Sequence, residues 1–218
     1  MAGQSAGMRL GVISDVHADL YGLLAALRVF RREGVERVLC AGDLVDRGAE
    51  GDEVVRIIRQ GRVICVRGNH DSDAADNQAW LRQHGDPSSP ALQRRLLSDE
   101  TLDYLSRLPP RLGFSCCGLR VRLAHGAPWS DMVYIFPNSP YALLGRAARE
   151  AQADVLILGH THIPMWVGVE GVWIANPGSV CRPGSHTCAT LDLPECIWRV
   201  FDVTTGQEID MPVNGRTI

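Results

Sequence analysis

The chain predicts an α/β domain built around a parallel sheet. Three observations point there. Apolar runs short enough for buried strands alternate with amphipathic helical stretches through the first third. Several of these runs end abruptly at Asp, Asn or His, where strand carboxyl ends would meet in a crevice. Short strand-like segments with turn residues between them then fill the C-terminal quarter.

The elements follow in order. Residues 9–14 (RLGVIS) form an apolar run bounded by Asp15. Leu20, Leu23, Leu24, Leu27 and Phe30 follow the i, i+3, i+4, i+7 spacing of an amphipathic helix, which Gly34 ends. Residues 35–41 read as a second strand, 53–60 as a second helix and 63–66 as a third strand. Residues 72–111 differ in character, with Trp80, polar stretches, Pro87, Pro90 and helical pieces. Within them, residues 98–108 form a helix that Ser98 can cap and whose dipole Asp99 and Glu100 favour. This segment is a helical insertion, expected as a flank covering a sheet rather than as a cap over a substrate. Residues 111–124 read as a hairpin around Cys117-Gly118. Ser139 as N-cap and Pro140 at the first helical position open a helix to about Gln152. Strands are expected at 154–158, 166–169, 172–175, 187–193 and 197–203, with Gly171, Pro194 and Thr205-Gly206 marking turns. No internal repeat or linker interrupts the 218 residues, so residues 1–218 read as one domain.

Composition narrows the function classes. Hydrophobic residues make up 45% and charged residues 22%, ordinary for a globular protein. A net charge of −3 without a Lys/Arg block argues against a stable nucleic-acid complex, though not against a local phosphate pocket. The seven cysteines contain no Cys-x-x-Cys pair and read as reduced thiols, with Cys40 and Cys65 as small hydrophobes inside strands. Residues 1–7 have neither a basic start nor an apolar core, so the expectation is a frayed tail before Met8 rather than a signal peptide. No run has the length of a membrane span, and the expected compartment is the cytoplasm.

Seven metal-binding side chains stand in five short clusters. They are Asp15 and His17, Asp43, Asn69, His125, and finally His160 and His162. Each cluster follows a strand-like run. All donate oxygen or imidazole nitrogen and none is a thiolate, which suits a hard or borderline divalent ion. Seven donors exceed one tetrahedral site and suit two adjacent ions sharing a carboxylate. Four of the seven histidines are among these donors and a fifth, His70, adjoins Asn69; His84 and His186 lie outside the motifs, and surface roles are expected for them. Trp80, Trp129, Tyr134 and Phe136 could stack on a base or aryl group, with Trp129 and Tyr134 nearest to His125, but packing is the commoner fate of aromatics.

Ser14-Asp15-Val16-His17, Gly42-Asp43, Gly68-Asn69-His70-Asp71, Ala124-His125-Gly126 and Gly159-His160-Thr161-His162 together resemble the calcineurin-like metallophosphoesterase family, in particular its small bacterial and archaeal phosphodiesterase-like branch. The resemblance runs from about residue 8 to 201 and is weak over 72–111. It implies a four-layer αββα sandwich, two mixed β-sheets flanked by helices, with the metal site at the strand carboxyl ends. By analogy Asp15, His17 and His162 hold one ion, Asn69, His125 and His160 the other, and Asp43 bridges them. Two such ions lower the pKa of a bridging water and neutralise the phosphoryl oxygens, so that hydroxide attacks phosphorus in line. Mn, Fe, Zn, Ni or Co fit the donors, with Mn favoured.

Gly42-Asp43-Leu44-Val45-Asp46-Arg47-Gly48 closely resembles a motif of the phosphoprotein-phosphatase branch. It implies that His70 protonates the leaving group, that Asp46 orients His70, and that Arg47 binds phosphate oxygens. Many small bacterial members carry Cys where His70 stands; this chain departs from them. Asn176-Pro177-Gly178-Ser179 resembles the family's closing turn. Asp71 is expected to orient its own loop through the backbone. The resulting expectation is an enzyme hydrolysing small-molecule phosphodiesters or phosphomonoesters. A phosphoprotein phosphatase or dinucleoside polyphosphate hydrolase is the second reading. A noncatalytic scaffold is disfavoured because every ligand position is filled. The oligomeric state is not encoded in these motifs.

Overall fold

The computed structural model of the protein describes residues 7–211, so all but Gly7 of the expected N-terminal tail lies outside the described residues. The elements in chain order are β1 (Met8–Ile13), α1 (Leu20–Arg32), β2 (Arg37–Cys40), α2 (Gly51–Gln60), β3 (Ile64–Cys65), α3 (Asn69–Ser72), α4 (Ala74–His84), α5 (Pro90–Arg95) and α6 (Asp99–Arg107). There follow β4 (Arg111–Cys116), β5 (Leu119–Ala124), α7 (Tyr141–Ala151), β6 (Val155–Ile157), β7 (Pro164–Val169), β8 (Val172–Pro177), β9 (Thr187–Leu193), β10 (Ile197–Asp202) and β11 (Glu208–Ile209).

Two mixed sheets result. The first has the order β11-β10-β9-β1-β2-β3, and the second β4-β5-β6-β8-β7. In the first sheet β1, β2 and β3 pair in parallel out to one edge, while β9, β10 and β11 pair antiparallel out to the other; in the second, β5, β6 and β8 form a parallel interior closed at each edge by an antiparallel strand. The two-residue alternation of strands sorts the side chains into three apolar layers. Leu10, Val12 and Leu39 from the first sheet meet Val121, Leu123, Val155 and Ile157 from the second. Ile13 and Cys40 point the other way, against Leu23, Phe30, Val54 and Ile58 of α1 and α2. Leu156 and Ile174 point outward in the second sheet, against Leu144, Ala147 and Ala151 of α7. Helix, sheet, sheet, helix is therefore the layer order. A near-parallel stack of Trp198, Trp166 and Trp173 spans the two sheets, with centroids 5.4 and 4.7 Å apart.

Local chemistry sets the element ends. Asp19 accepts from the Gly22 N–H at 2.8 Å and starts α1. Gly34, at φ +70°, turns the chain out of that helix. Gly11 has to be Gly because a Cβ there would lie 2.8 Å from the ring of Phe30, which α1 lays across β1.

The insertion divides in two. Leu97, Leu105 and Leu108 join the core over α2, and at the start of α6 the Ser98 hydroxyl accepts from the Thr101 N–H. The α4–α5 part is tied to it by Gln78, which donates to the Arg95 carbonyl and accepts from the Leu97 N–H, both at 2.9 Å. One expected cap is displaced. Pro140, with extended ψ of 142°, is itself the N-cap of α7, and the Ser139 hydroxyl accepts from the upstream Phe136 N–H instead. The short β11 carried no apolar run and was not expected. Among the described residues, no helix is long and apolar enough to cross a membrane.

Candidate metal centre

The loops that leave β1 and β2 remain paired after the strands end. Asp15, His17 and Ala18 donate their N–H groups to the carbonyls of Gly42, Asp43 and Leu44 at 2.8–2.9 Å. The backbone therefore runs side by side while turning sharply. Asp15, His17, Ala18, Asp43, Asp46, Arg47, His160 and His162 all have φ between +48° and +71°, the left-handed region that costs non-glycine residues roughly 1–2 kcal/mol each. Such strain persists only where the surroundings over-determine it, and here it converges on one point.

All seven sequence-predicted donors meet there. Donor atoms of His17, Asp43 and His70 lie within 4.8 Å of one another, as do those of Asp43, His125 and His160, so Asp43 belongs to both groups. On one side, His17 Nε2 is 3.3 Å from His162 Nε2, and Asp15 Oδ1 is 3.2 Å from the same His162 nitrogen. On the other, His125 Nε2 lies 3.1 Å from Asn69 Oδ1, 3.2 Å from Asp43 Oδ2 and 3.2 Å from His160 Nδ1. The Ala41 carbonyl can only accept, so it fixes the His125 proton on Nδ1, 2.7 Å away, and turns Nε2 to the centre.

This donor set fits divalent cations. The buried Asp15 Oδ1 and His160 Nε2 have no hydrogen-bond partner. Facing imidazole nitrogens and buried carboxylates present more acceptors than donors, an imbalance that a cation completes. Burial lowers His17 to about 4, against the pull of Asp43 and Asp15. Burial, aided by His125, lowers His160 to about 4 as well. Both are neutral near pH 7, the form that binds metals. Burial pushes the Asp43 carboxyl up, but His125 and His17 outweigh it and hold Asp43 below the ordinary carboxylate range.

Asp71 does more than orient its own loop. It is 3% exposed and accepts four backbone N–H groups: Asp43 and Gly68 at Oδ2, Leu44 and Val45 at Oδ1, at 2.8–3.3 Å. It thus clamps the Asp43 loop to the Asn69 loop. Gly68 allows that approach, since a Cβ there would collide with Asp43 Oδ1. The Asn176 side chain similarly donates to the Gly159 carbonyl at 2.6 Å, and the Ser179 hydroxyl to the Asp15 carbonyl at 3.0 Å.

At the rim, His70 Nδ1 is 2.7 Å from Asp46 Oδ2, and this contact raises the His70 pKa and lowers Asp46 to about 2. Arg95, from the insertion, lies 3.6 Å from the other Asp46 oxygen. No sequence pattern marked Arg95, because its spacing from the motifs is set only by the fold. Arg47 is exposed and lines an open cleft of about 670 Å³ with His160, His162, Ile163 and Ser185. Tyr134 is half exposed and stacks on His160, centroids 3.8 Å apart. Trp129 is occupied instead by the Arg146 guanidinium, 3.8 Å over its ring. His84 is exposed as expected, whereas His186 is partly buried and 2.8 Å from the Val180 carbonyl. One further residue reaches the centre unannounced. Cys181 Sγ falls in a group with His17 and His162, in a part of the chain whose sequence gave no metal pattern.

Residues 8–195 match the profile of the calcineurin-like phosphoesterase superfamily domain. A phosphodiesterase of Methanocaldococcus jannaschii is 25% identical over 194 residues, covering 85% of this chain and 93% of the relative. Serine/threonine-protein phosphatase 1 of Salmonella typhimurium is 31% identical over 185 residues, covering 78% and 86%. The crystal structure of a metallophosphoesterase from Sphaerobacter thermophilus superposes with a TM-score of 0.69 at 26% identity, covering 88% of this chain and 86% of that one.

Proposed function

The chain belongs to the calcineurin-like phosphoesterase superfamily of hydrolases, and on that premise we propose that it is a two-metal phosphoesterase of small-molecule phosphodiesters or phosphomonoesters, working as one domain in the cytoplasm. The observation that carries this reading is Asp43, whose carboxylate is common to two separate donor groups. Asp15, His17 and His162 would hold one divalent cation, and Asn69, His125 and His160 the other, with Asp43 within reach of both. When bound, the two cations supply Lewis acidity and an activated water, with Mn the favoured ion.

The chain's own residues then do the rest. Asp71 and the paired loops fix the donors before substrate arrives, so little reorganisation is needed. Arg47, exposed beside His160 and His162, binds phosphate oxygens through its guanidinium fork. His70 gives a proton from Nε2 to the departing oxygen, while Asp46 holds Nδ1 at 2.7 Å and keeps the ring protonated and aimed.

The His70–Asp46 pair also favours a second reading, a phosphoprotein phosphatase or dinucleoside polyphosphate hydrolase; the 31% identical relative is named a serine/threonine-protein phosphatase. Metal-stripped protein, reloaded with single metals and offered phosphomonoesters, linear and cyclic diesters, dinucleoside polyphosphates and a phosphopeptide, tests both. Metal-dependent turnover of the simple mono- or diesters above the phosphopeptide and the dinucleoside polyphosphates supports the first reading. Preference for either of the latter supports the second, and no turnover of any ester contradicts both.

A further inference from the structure

We infer that Cys181 is a thiolate ligand of the cation held by Asp15, His17 and His162, which makes this half of the centre a sulfur-containing site for a thiophilic ion such as Zn(II) or Co(II). The inference rests on the two-metal reading above and departs from its preference for Mn in this half alone, which makes the two halves chemically unequal.

The geometry points to this in three ways. Cys181 Sγ and the ring nitrogens of His17 and His162 all lie within 4.8 Å of one another, and Cys181 is only 2% exposed. The adjoining Asp15 is 0% exposed, and its Oδ1, 3.2 Å from His162 Nε2, has no hydrogen-bond partner. The imidazoles of His17 and His162 thus share a donor group with the Cys181 thiol, and His162 also faces an Asp15 oxygen left unmatched. Nor is Cys181 a side chain that merely passes by. The Val180 N–H donates to the Ser14 carbonyl at 3.1 Å and the Cys181 N–H to the Asp15 carbonyl at 3.3 Å, so its backbone is fastened to the loop that carries Asp15 and His17. Ser179 Oγ lies 3.2 Å from Cys181 Sγ while giving its one proton to the Asp15 carbonyl, so it accepts from the thiol S–H and holds the sulfur in place.

The other cysteines differ. Cys40, Cys65 and Cys188 pack in the apolar layer under α1 and α2, and Cys116 and Cys196 against the intersheet layer. Among the described residues, only Cys181 joins a donor group. Binding breaks the S–H bond, forms a sulfur–metal bond and releases the proton to solvent. A soft thiolate selects Zn, Co or Fe over Mn, whereas Asn69, His125 and His160 offer no sulfur and leave the second half open to harder ions.

Zinc-edge X-ray absorption on the full-length, Zn-loaded protein tests this without any variant. A sulfur scatterer at about 2.3 Å is expected. Alongside it, the Co(II)-loaded protein should show a near-ultraviolet sulfur-to-cobalt charge-transfer band that C181S lacks. C181S should also weaken Zn(II) binding at least about tenfold while changing Mn(II) binding less than about twofold. Metal counting separates the layers of the argument. Two bound ions with only nitrogen and oxygen scatterers overturn the thiolate ligand and spare the two-metal reading. Failure to bind ions overturns both.

Discussion

Replacing Asp71 by Asn changes neither the size nor the shape of the side chain, yet it should be among the most damaging substitutions in the protein. Each Asp71 oxygen accepts two backbone N–H groups, Asp43 and Gly68 on one and Leu44 and Val45 on the other. An amide has only one oxygen. Whichever way it turns, an NH₂ group faces two backbone donors, and two hydrogen bonds are lost inside a site that is 3% exposed. Hydrogen bonds to a charged acceptor contribute about 1.5–3 kcal/mol each, so the loss comes to about 3–6 kcal/mol. One effect offsets part of it. Burial and the nearby Asp43 charge push the Asp71 carboxyl up to about 7, so Asn also relieves a buried like-charge contact and moves the net loss toward the lower end. Against a typical stability of about 5–15 kcal/mol this is a large fraction. Urea unfolding of metal-free Asp71→Asn measures the stability, and calorimetric titration with Mn(II) measures the metal affinity, which should also fall although Asp71 is itself no ligand and holds Asp43 only through its backbone N–H. A stability change below about 1 kcal/mol with unchanged metal affinity would refute the clamp.

Three other expectations follow from the rim and the buried imidazoles. His70→Ala should lower kcat much more for alkyl phosphate esters than for nitrophenyl esters, since nitrophenolate leaves without help; equal losses would mean that His70 only shapes the site. Arg47→Ala should cost roughly ten- to a hundredfold in kcat/KM on monoesters and less on diesters, which carry one charge fewer; changes within about twofold on both would place its guanidinium away from the substrate. For the metal-free protein, His17 and His160 sit near 4 against an ordinary 6.5. The unfolded chain therefore binds protons that the folded chain refuses, and stability falls as pH drops through that window. His125 has the opposite sign. Burial lowers it, but Asp43 raises it to about 9, so its contribution is present below 6.5 and lost as pH rises through 9. The melting temperature should peak near neutral pH, and a flat profile from about pH 4.5 to 9 would contradict these assignments.

The centre was legible in the sequence because each donor pair sits in a tight loop behind an apolar run. Asp15-x-His17 and His160-x-His162 need no knowledge of distant packing once the strands are recognised. The helix of α1 was equally plain, since its apolar spacing and the closing Gly34 agree. What escaped depends on contacts far along the chain. Arg95 reaches Asp46 only because Gln78 pins α5 beside the metal loops. Cys181 reaches His17 only because the segment after β8 returns to hydrogen-bond with Ser14 and Asp15. Asp71 looked like a local turn residue, and its partners in the Asp43 loop lie 26–28 positions away. The displaced α7 cap has a smaller cause: Ser139 can serve two neighbouring turns, and local pattern does not say which one takes its hydroxyl.

On the two-metal reading, the Asp43 carboxylate joins both halves of the centre. The most direct measurement is metal content per chain in fully loaded, active protein, taken together with the affinity of each site in Asp43→Asn. Two ions per chain are expected, with both sites weakened and turnover nearly abolished when the shared carboxylate is neutralised. One ion per chain at full activity, or a variant in which one site alone weakens, would contradict it.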